Sequence, residues 1–382
     1  MAVICLTSPI KGRDTLLLAR DLYQVMKKKQ QYWIRPLKKA DEINLIQKLG
    51  EVDWDIPGHR QLSDISQAND IIAWSQALGL INEKRNTWTP LGSVLSKIIE
   101  QNQKEAFLGK ANLPNPLRLT LKQKIFFLYN ILLKEGDFII RFVKCFPRGK
   151  FSASDITEAF YNTWRDISES LLSSREYKYI NEGRELSRSL KGLKGSSVYL
   201  RAISKLENLT DLGILGRADE RKYEYTVDID KLDAINEVSM DILSNKPEFQ
   251  EDNWRTFLES KFFSTASRIF AIKGLENPTP SDIIRCTLDS YSKLAGGLGL
   301  CRIDELSLLT GIQSMSSDRP LIVEQKKVRD IIYEMNKQYR KLVSLHVDML
   351  GNISYIKIDS QLLGKLSGIR PPNNISRLKQ IN

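Results

Sequence analysis

The segment from Asp252 to Lys261 contains the residues best suited to catalysis. Asp252, Glu259 and Lys261 supply two carboxylates and a lysine, which could hold Mg²⁺ and a water molecule as a metal-dependent nuclease does. The apolar residues between positions 254 and 262 recur at helical spacing, whereas such a nuclease needs its second carboxylate and lysine on a strand. We therefore interpret Glu259 and Lys261 as surface residues of a helix and keep a divergent nuclease as the third alternative.

One side of the helix predicted over Ser196 to Leu212 could bind a polyanion and hydrogen-bond to bases. Arginine pairs with guanine, asparagine with adenine, and a serine near a helix start can hold a phosphate. The buried stripe is predicted to contain Val198, Ala202, Ile203, Leu206 and Leu209. The opposite side is predicted to carry Ser197, Arg201, Ser204, Lys205 and Asn208, preceded by the loop cations Lys191 and Lys194.

The charge balance favours an anionic partner. The 382 residues include 57 Lys and Arg against 46 Asp and Glu, a net charge of +11, so nucleic acid and acidic membrane are both candidates. No run of about 18 apolar residues occurs, and no sustained basic amphipathic helix is present. We therefore expect no membrane contact.

The residue inventory disfavours most familiar enzyme classes. Only two histidines are present, and the four cysteines lack the short spacing of zinc sites. The sequence contains no phosphate-binding loop, no dinucleotide fingerprint and no hydrolase nucleophile motif. We predict a chain that is not an enzyme and that needs no cofactor and no metal.

Residues 78–98 have a distinctive order. Leu78-Gly79-Leu80-Ile81 precedes a charged turn with Lys84 and Arg85, and Trp88-Thr89-Pro90 leads into a helix. Gly79 can end a helix in the left-handed region, and the residues flanking the turn can pair as short strands. This order resembles the wing and following helix of the winged helix-turn-helix superfamily, over about residues 38–100. The resemblance implies that Lys84 and Arg85 contact phosphates.

The same arrangement recurs twice. After the helix at Ser196 to Leu212, a charged turn with Arg221 and Lys222 returns as a strand at 223–227. In a third copy, helices are predicted at 281–294, 303–309 and 324–340, followed by a hairpin turning at Leu350-Gly351. The long third helix of this copy is predicted to carry outward-facing cations, which are Lys326, Arg329 and Lys337.

We predict a mainly α protein of tandem winged-helix modules with short β-hairpin wings. The predicted domains are 1–111, 117–244 and 249–368, with a flexible tail at 369–382. The resemblance implies a protein that binds duplex DNA and serves, for instance, a mobile-element, replication or anti-phage defence system. The residue inventory predicts that it is non-catalytic, and the widely spaced cysteines and the lack of a long apolar run predict a cytoplasmic protein, which DNA binding would associate with the nucleoid. The main alternative is a scaffold for other protein subunits, because winged helices also pack on proteins.

Overall fold

The computed structural model describes residues 74–82, 88–107, 119–193, 195–219, 222–243, 251–295 and 299–359. These residues are mainly helical, as predicted, and include two small antiparallel sheets of three strands each. The chain divides into two compact units, Met1–Arg255 and Thr256–Asn382. The predicted cations Lys84, Arg85, Lys194 and Arg221 and the predicted tail at 369–382 lie outside the described residues.

The described part of the first wing has the predicted local structure. Residues 74–77 are helical and end the helix before the turn. Gly79 follows with φ 70°, and Ile81 forms an antiparallel bridge with Trp88. The Thr89 hydroxyl donates to the Gly79 carbonyl and accepts from the amide of Gly92 at 3.1 Å. Helix α1 therefore begins next to the bridge and spans Pro90–Phe107.

The rest of the described first unit consists of helices and one sheet of three strands. Thr120 and Gln123 form a capping box at the start of α2, and Ser152 and Asp155 form another before α3. The elements are α2 (Leu121–Val143), β1 (Lys150–Ser152), a 3-10 turn (Ala153–Ile156), α3 (Thr157–Leu172), α4 (Tyr177–Lys191), α5 (Gly195–Asp211), β2 (Leu215–Asp219), β3 (Glu224–Val227) and α6 (Ile229–Leu243). The sheet order is β1-β3-β2, with antiparallel neighbours.

Aromatic side chains fill the core between α2 and α3. The ring of Phe138 stacks on that of Trp164 with centroids 4.2 Å apart, and Phe142 meets Phe160 edge to face. Such pairs add to the stability gained from burial alone. The apolar stripe predicted for α5 is also buried, and α5 packs on α3 and β2.

Helix α4, which is missing from the sequence-based prediction, packs closely on α3. Gly183 makes this possible, because a Cβ there would lie 2.9 Å from the amide nitrogen of Leu172. The Ser168 hydroxyl donates to the Gly183 carbonyl at 3.0 Å. Leu186 and Leu190 complete the buried side of α4.

The second unit contains the predicted three helices and hairpin of the third copy. Its sheet order is β4-β6-β5, so the first strand pairs with the last in both sheets. The elements are α7 (Glu251–Ile269, whose first residues belong to the first unit), α8 (Pro280–Leu294), β4 (Leu300–Arg302), α9 (Ile303–Met315), α10 (Gln325–Gln338), β5 (Val343–Val347) and β6 (Ile353–Ile358).

Close contacts hold the second unit around α9, which is buried along nearly its whole length. Gly311 lies against the ring of Phe263, where a Cβ would come within 2.1 Å of the ring. The Tyr291 hydroxyl accepts from the amide of Ile358 at 2.8 Å and donates to the Gly299 carbonyl, which ties α8 to the sheet. This packing positions α10 and the β5–β6 hairpin.

Candidate nucleic-acid interface

Helix α5 is buried on both sides in its second half. Residues 202–209 are all buried, including the polar residues among them. Lys205, with 1% of its surface exposed, donates to both carboxylate oxygens of Glu135 at 2.8 Å. Its Nζ lies 4.5 Å from the centroid of the Trp74 ring, within cation–π distance. The polar side of α5 is therefore an internal contact of the first unit.

The prediction that Ser204, Lys205 and Asn208 face outward is wrong. Amphipathic spacing placed them opposite the apolar stripe, but parts of the same unit cover that side. Glu207 is buried too, and accepts hydrogen bonds from the Tyr225 hydroxyl at 2.8 Å and from Arg217. Because these groups are enclosed, they cannot contact a macromolecule in this structure.

The first turns of α5 are more open. Ser197 and Arg201 are both half-buried. Burial lowers the pKa of the Arg201 guanidinium, and its Nη1 nitrogen is enclosed without a hydrogen-bond partner among the described residues. Only part of this guanidinium faces outward, which is unfavourable for bidentate pairing with a base.

Two of the predicted cations around α5 are exposed. Lys191 lies at the end of α4, and Lys222 lies in the β2–β3 turn, 4.0 Å from the carboxylate of Asp219. The structure therefore leaves Lys191 and Lys222 accessible but does not bring them together with an exposed face of α5.

Helix α10 has one buried face and one exposed face. Val328, Ile332 and Met335 are buried. Exposed residues on the other side include Lys326, Lys327, Asp330, Glu334 and Lys337. Lys337 pairs with Glu334 at 2.7 Å, and both side chains are about two-thirds exposed. The prediction of an outward-facing Lys326 and Lys337 is confirmed.

Arg329 does not face away with these lysines as predicted. Its guanidinium binds Glu259 of α7 at 2.8 Å and Asp304 of α9 at 2.9 Å. The assignment of Arg329 to the outer surface is therefore wrong, because two carboxylates from neighbouring helices hold its side chain. Its role in the structure is to join α10 to α7 and α9.

A buried carboxylate, that of Glu324, holds the start of α10. Glu324 accepts from the amide of Phe263 at 3.0 Å and from the amide and hydroxyl of Ser264, both at 2.7 Å. Burial raises the pKa of this carboxyl, and the three hydrogen bonds oppose that rise. With Arg329, Glu324 sets the position of α10 on the second unit.

The β5–β6 hairpin ends in an exposed apolar turn. Met349 and Leu350 are 105% and 86% exposed, and Gly351 adopts φ 82°. The Asp348 carboxylate accepts from the amides of Leu350 and Asn352 at 2.9 and 3.0 Å. These hydrogen bonds hold the pKa of Asp348 below its usual value and hold the turn in one conformation.

Burial shifts the pKa values of two groups in β4 and α9, the carboxyl of Glu305 and the thiol of Cys301. Burial raises the pKa of Glu305 to about 7, although the Arg302 guanidinium lies 3.7 Å away. Burial also raises the pKa of the Cys301 thiol to about 12. A thiol with so high a pKa is a poor nucleophile, so Cys301 is a packing residue.

The residues of the nuclease alternative lie on one helix. Asp252, Glu259 and Lys261 all belong to α7, as the spacing predicts for the last two. Lys261 is exposed as expected, whereas Glu259 is half-buried and paired with Arg329. Within the described ranges, no group of three His, Cys, Asp or Glu side chains could hold a metal ion.

Comparisons with protein-family models, curated proteins and solved structures find no match for this chain. A search of the described helices finds none with the length and apolarity needed to cross a membrane. The placement of the exposed cations is therefore the observation from which function is inferred.

Sequence reasoning missed two exposed arginines, Arg184 and Arg188, because it did not predict α4. The signal was present: Gly183, Leu186 and Leu190 are separated by three and four residues, the spacing of a buried helix face. Their helix places Arg184 and Arg188 on the same side as Lys191.

Proposed function

We propose that the chain binds duplex DNA without catalysing a reaction, and that α10 is the helix that enters the major groove. The proposal treats the second unit as a winged-helix module in which β5 and β6 form the wing. Its support is the order helix, strand, two helices and two strands, with the first strand pairing with the last. The module of the first unit has the same strand order and one additional helix, α4.

The observation that carries the proposal is the separation of the two faces of α10. Val328 and Ile332 are fully buried, whereas Lys326 and Lys337 are exposed. An exposed helix face with cationic side chains can enter the major groove, where lysine contacts phosphates or guanine. Asp330, exposed between them, can accept a hydrogen bond from the amino group of cytosine.

Gel-shift and fluorescence titrations with duplex DNA at several salt concentrations test this function. We expect affinity to fall steeply with salt, and the triple variant Lys326→Gln, Lys327→Gln, Lys337→Gln to bind at least about tenfold more weakly at 100 mM salt, since each lost phosphate contact weakens binding. The matched control removes three exposed cations elsewhere, Lys144→Gln, Lys273→Gln and Arg319→Gln, and should retain most of the affinity. Absence of salt-dependent binding by the unaltered chain contradicts the proposal.

A protein scaffold is the second candidate, and the apolar tip of the β5–β6 hairpin favours it. Met349 and Leu350 present apolar side chains to solvent, which is typical of contacts between proteins. A scaffold predicts no salt-dependent DNA affinity and a stoichiometric partner that co-elutes with the full chain. The double variant Met349→Ser, Leu350→Ser should lose that partner without a change in thermal stability.

A further inference from the structure

Helix α4 carries a line of exposed cations. Arg184, Arg188 and Lys191 are all exposed, and they are separated by four and three residues. This spacing puts them within a narrow stripe on one side of the helix, because an α-helix has 3.6 residues per turn. The buried side, with Gly183, lies against α3.

The stripe is not neutralised by its own neighbours. None of the three cations forms an ion pair with another residue that the structure describes. Glu182 lies on the far side of α4 from Arg184, and Glu185 lies about 60° around the helix from Arg188. Neither carboxylate pairs with a cation of the stripe, so the three cations keep their positive charge.

The length of the stripe fits a nucleic-acid backbone. Seven residues separate Arg184 from Lys191, which corresponds to about 10 Å along the helix axis. One strand of a duplex carries a phosphate about every 3.4 Å of its axis, so about three phosphates lie within that length when α4 runs along the duplex axis. Three cations can therefore each approach a different phosphate of one strand.

We propose that the α4 stripe, defined as Arg184, Arg188 and Lys191, is a second contact with DNA that binds the phosphate backbone of one strand. This inference rests on the proposed DNA binding and adds a surface of the first unit to the one proposed for α10. The contact is independent of base sequence, because its side chains reach phosphates, which carry no sequence information.

The salt dependence of affinity tests the stripe directly. A plot of log affinity against log salt has a negative slope, to which each phosphate contact contributes about 0.9. The variant Arg184→Gln, Arg188→Gln, Lys191→Gln should therefore make this slope shallower by about 3. The loss of affinity in this variant should be equal for duplexes of unrelated sequence. The control triple Lys144→Gln, Lys273→Gln, Arg319→Gln removes the same charge, and its slope should change by less than about 1.

The two proposals fail in different ways. If the unaltered chain does not bind duplex DNA, the proposed function fails and the stripe fails with it. If the chain binds, but the stripe variant and the control triple have the same slope, only the stripe is overturned. Circular dichroism checks that each variant is folded, which is expected because all the substituted side chains are exposed.

Discussion

Helices α5 and α10 hold equivalent positions in the two units, yet only one of them has an open face. Each precedes a β-hairpin in a sheet whose first strand pairs with its last. Residues 202–209 of α5 are all buried, whereas α10 exposes lysines opposite its apolar stripe. The difference shows that the same local arrangement can be enclosed within its unit or left open to solvent.

The reason lies in what covers each helix. In the first unit, Glu135 at the kink of α2 and Trp74 meet the polar side of α5. In the second unit, carboxylates hold α10 at Arg329 and at its first turn, and leave the side of Lys326 and Lys337 uncovered. Substitutions on α5 and α10 can distinguish an enclosed polar face from an exposed one.

The largest effect is expected from Lys205→Met. The substitution leaves Glu135 as an uncompensated buried charge, so the free energy of unfolding should fall by about 3–5 kcal/mol. Urea unfolding followed by circular dichroism measures the loss. The control Lys144→Met, at an exposed position, should change stability by less than about 0.5 kcal/mol.

The double variant Glu135→Leu, Lys205→Met checks the reason for that loss. Removing both charges should restore most of the stability, because neither partner is left unpaired. If Lys205→Met alone loses less than about 1 kcal/mol, the polar side of α5 is not an enclosed contact, and the comparison with α10 fails.

The two faces of α10 should respond in opposite ways to substitution. Ile332→Ala opens a cavity on the buried face and should cost about 2–5 kcal/mol. Lys337→Ala, on the exposed face, should leave stability within about 0.5 kcal/mol while weakening DNA binding. Thermal unfolding and DNA titration of both variants measure the contrast. A large loss of stability in Lys337→Ala would show that this face is covered.

A smaller effect is expected where α10 joins its neighbours. Arg329→Gln removes the ion pairs with Glu259 and Asp304, which are partly exposed, so the cost should be about 1 kcal/mol. The control Arg319→Gln removes an exposed arginine from a loop of the same unit and should cost nothing measurable. A larger loss of DNA affinity than of stability in Arg329→Gln would instead place its guanidinium on the DNA.

The last prediction concerns a pH dependence from Glu305. Its folded-state pKa of about 7 lies above the ordinary value of 4.5, so between these values the folded state holds a proton that the unfolded state has released. Stability should therefore fall as pH rises through this window. Melting temperatures from pH 5 to 8 should decline less steeply in Glu305→Gln than in the unaltered chain. Parallel curves would contradict the raised pKa.

Much of the local structure could be predicted from the sequence. The glycine at Gly79 and the turn at Gly351 are signals that depend only on nearby residues. The hairpin at β5–β6 and the buried stripe of α5 follow from the same kind of local pattern. These predictions are confirmed because the physics behind them acts within a few residues.

The candidate site was harder to predict, because exposure depends on distant parts of the chain. Lys205 and Glu135 are 70 positions apart, and nothing near Lys205 indicates that a carboxylate covers it. Arg329 meets Glu259 across a similar separation in sequence. Helical spacing identifies two sides of a helix but does not tell which of them another element will cover.

The carboxylate of Asp348 has a consequence for how quickly the β5–β6 hairpin can engage a partner. Since its hydrogen bonds to Leu350 and Asn352 form during folding, the loss of backbone freedom at the tip is incurred then and not on contact. With a pKa held below its usual value, this carboxylate stays ionised at neutral pH. A collision with the hairpin therefore meets a preorganised shape, whichever molecule it encounters.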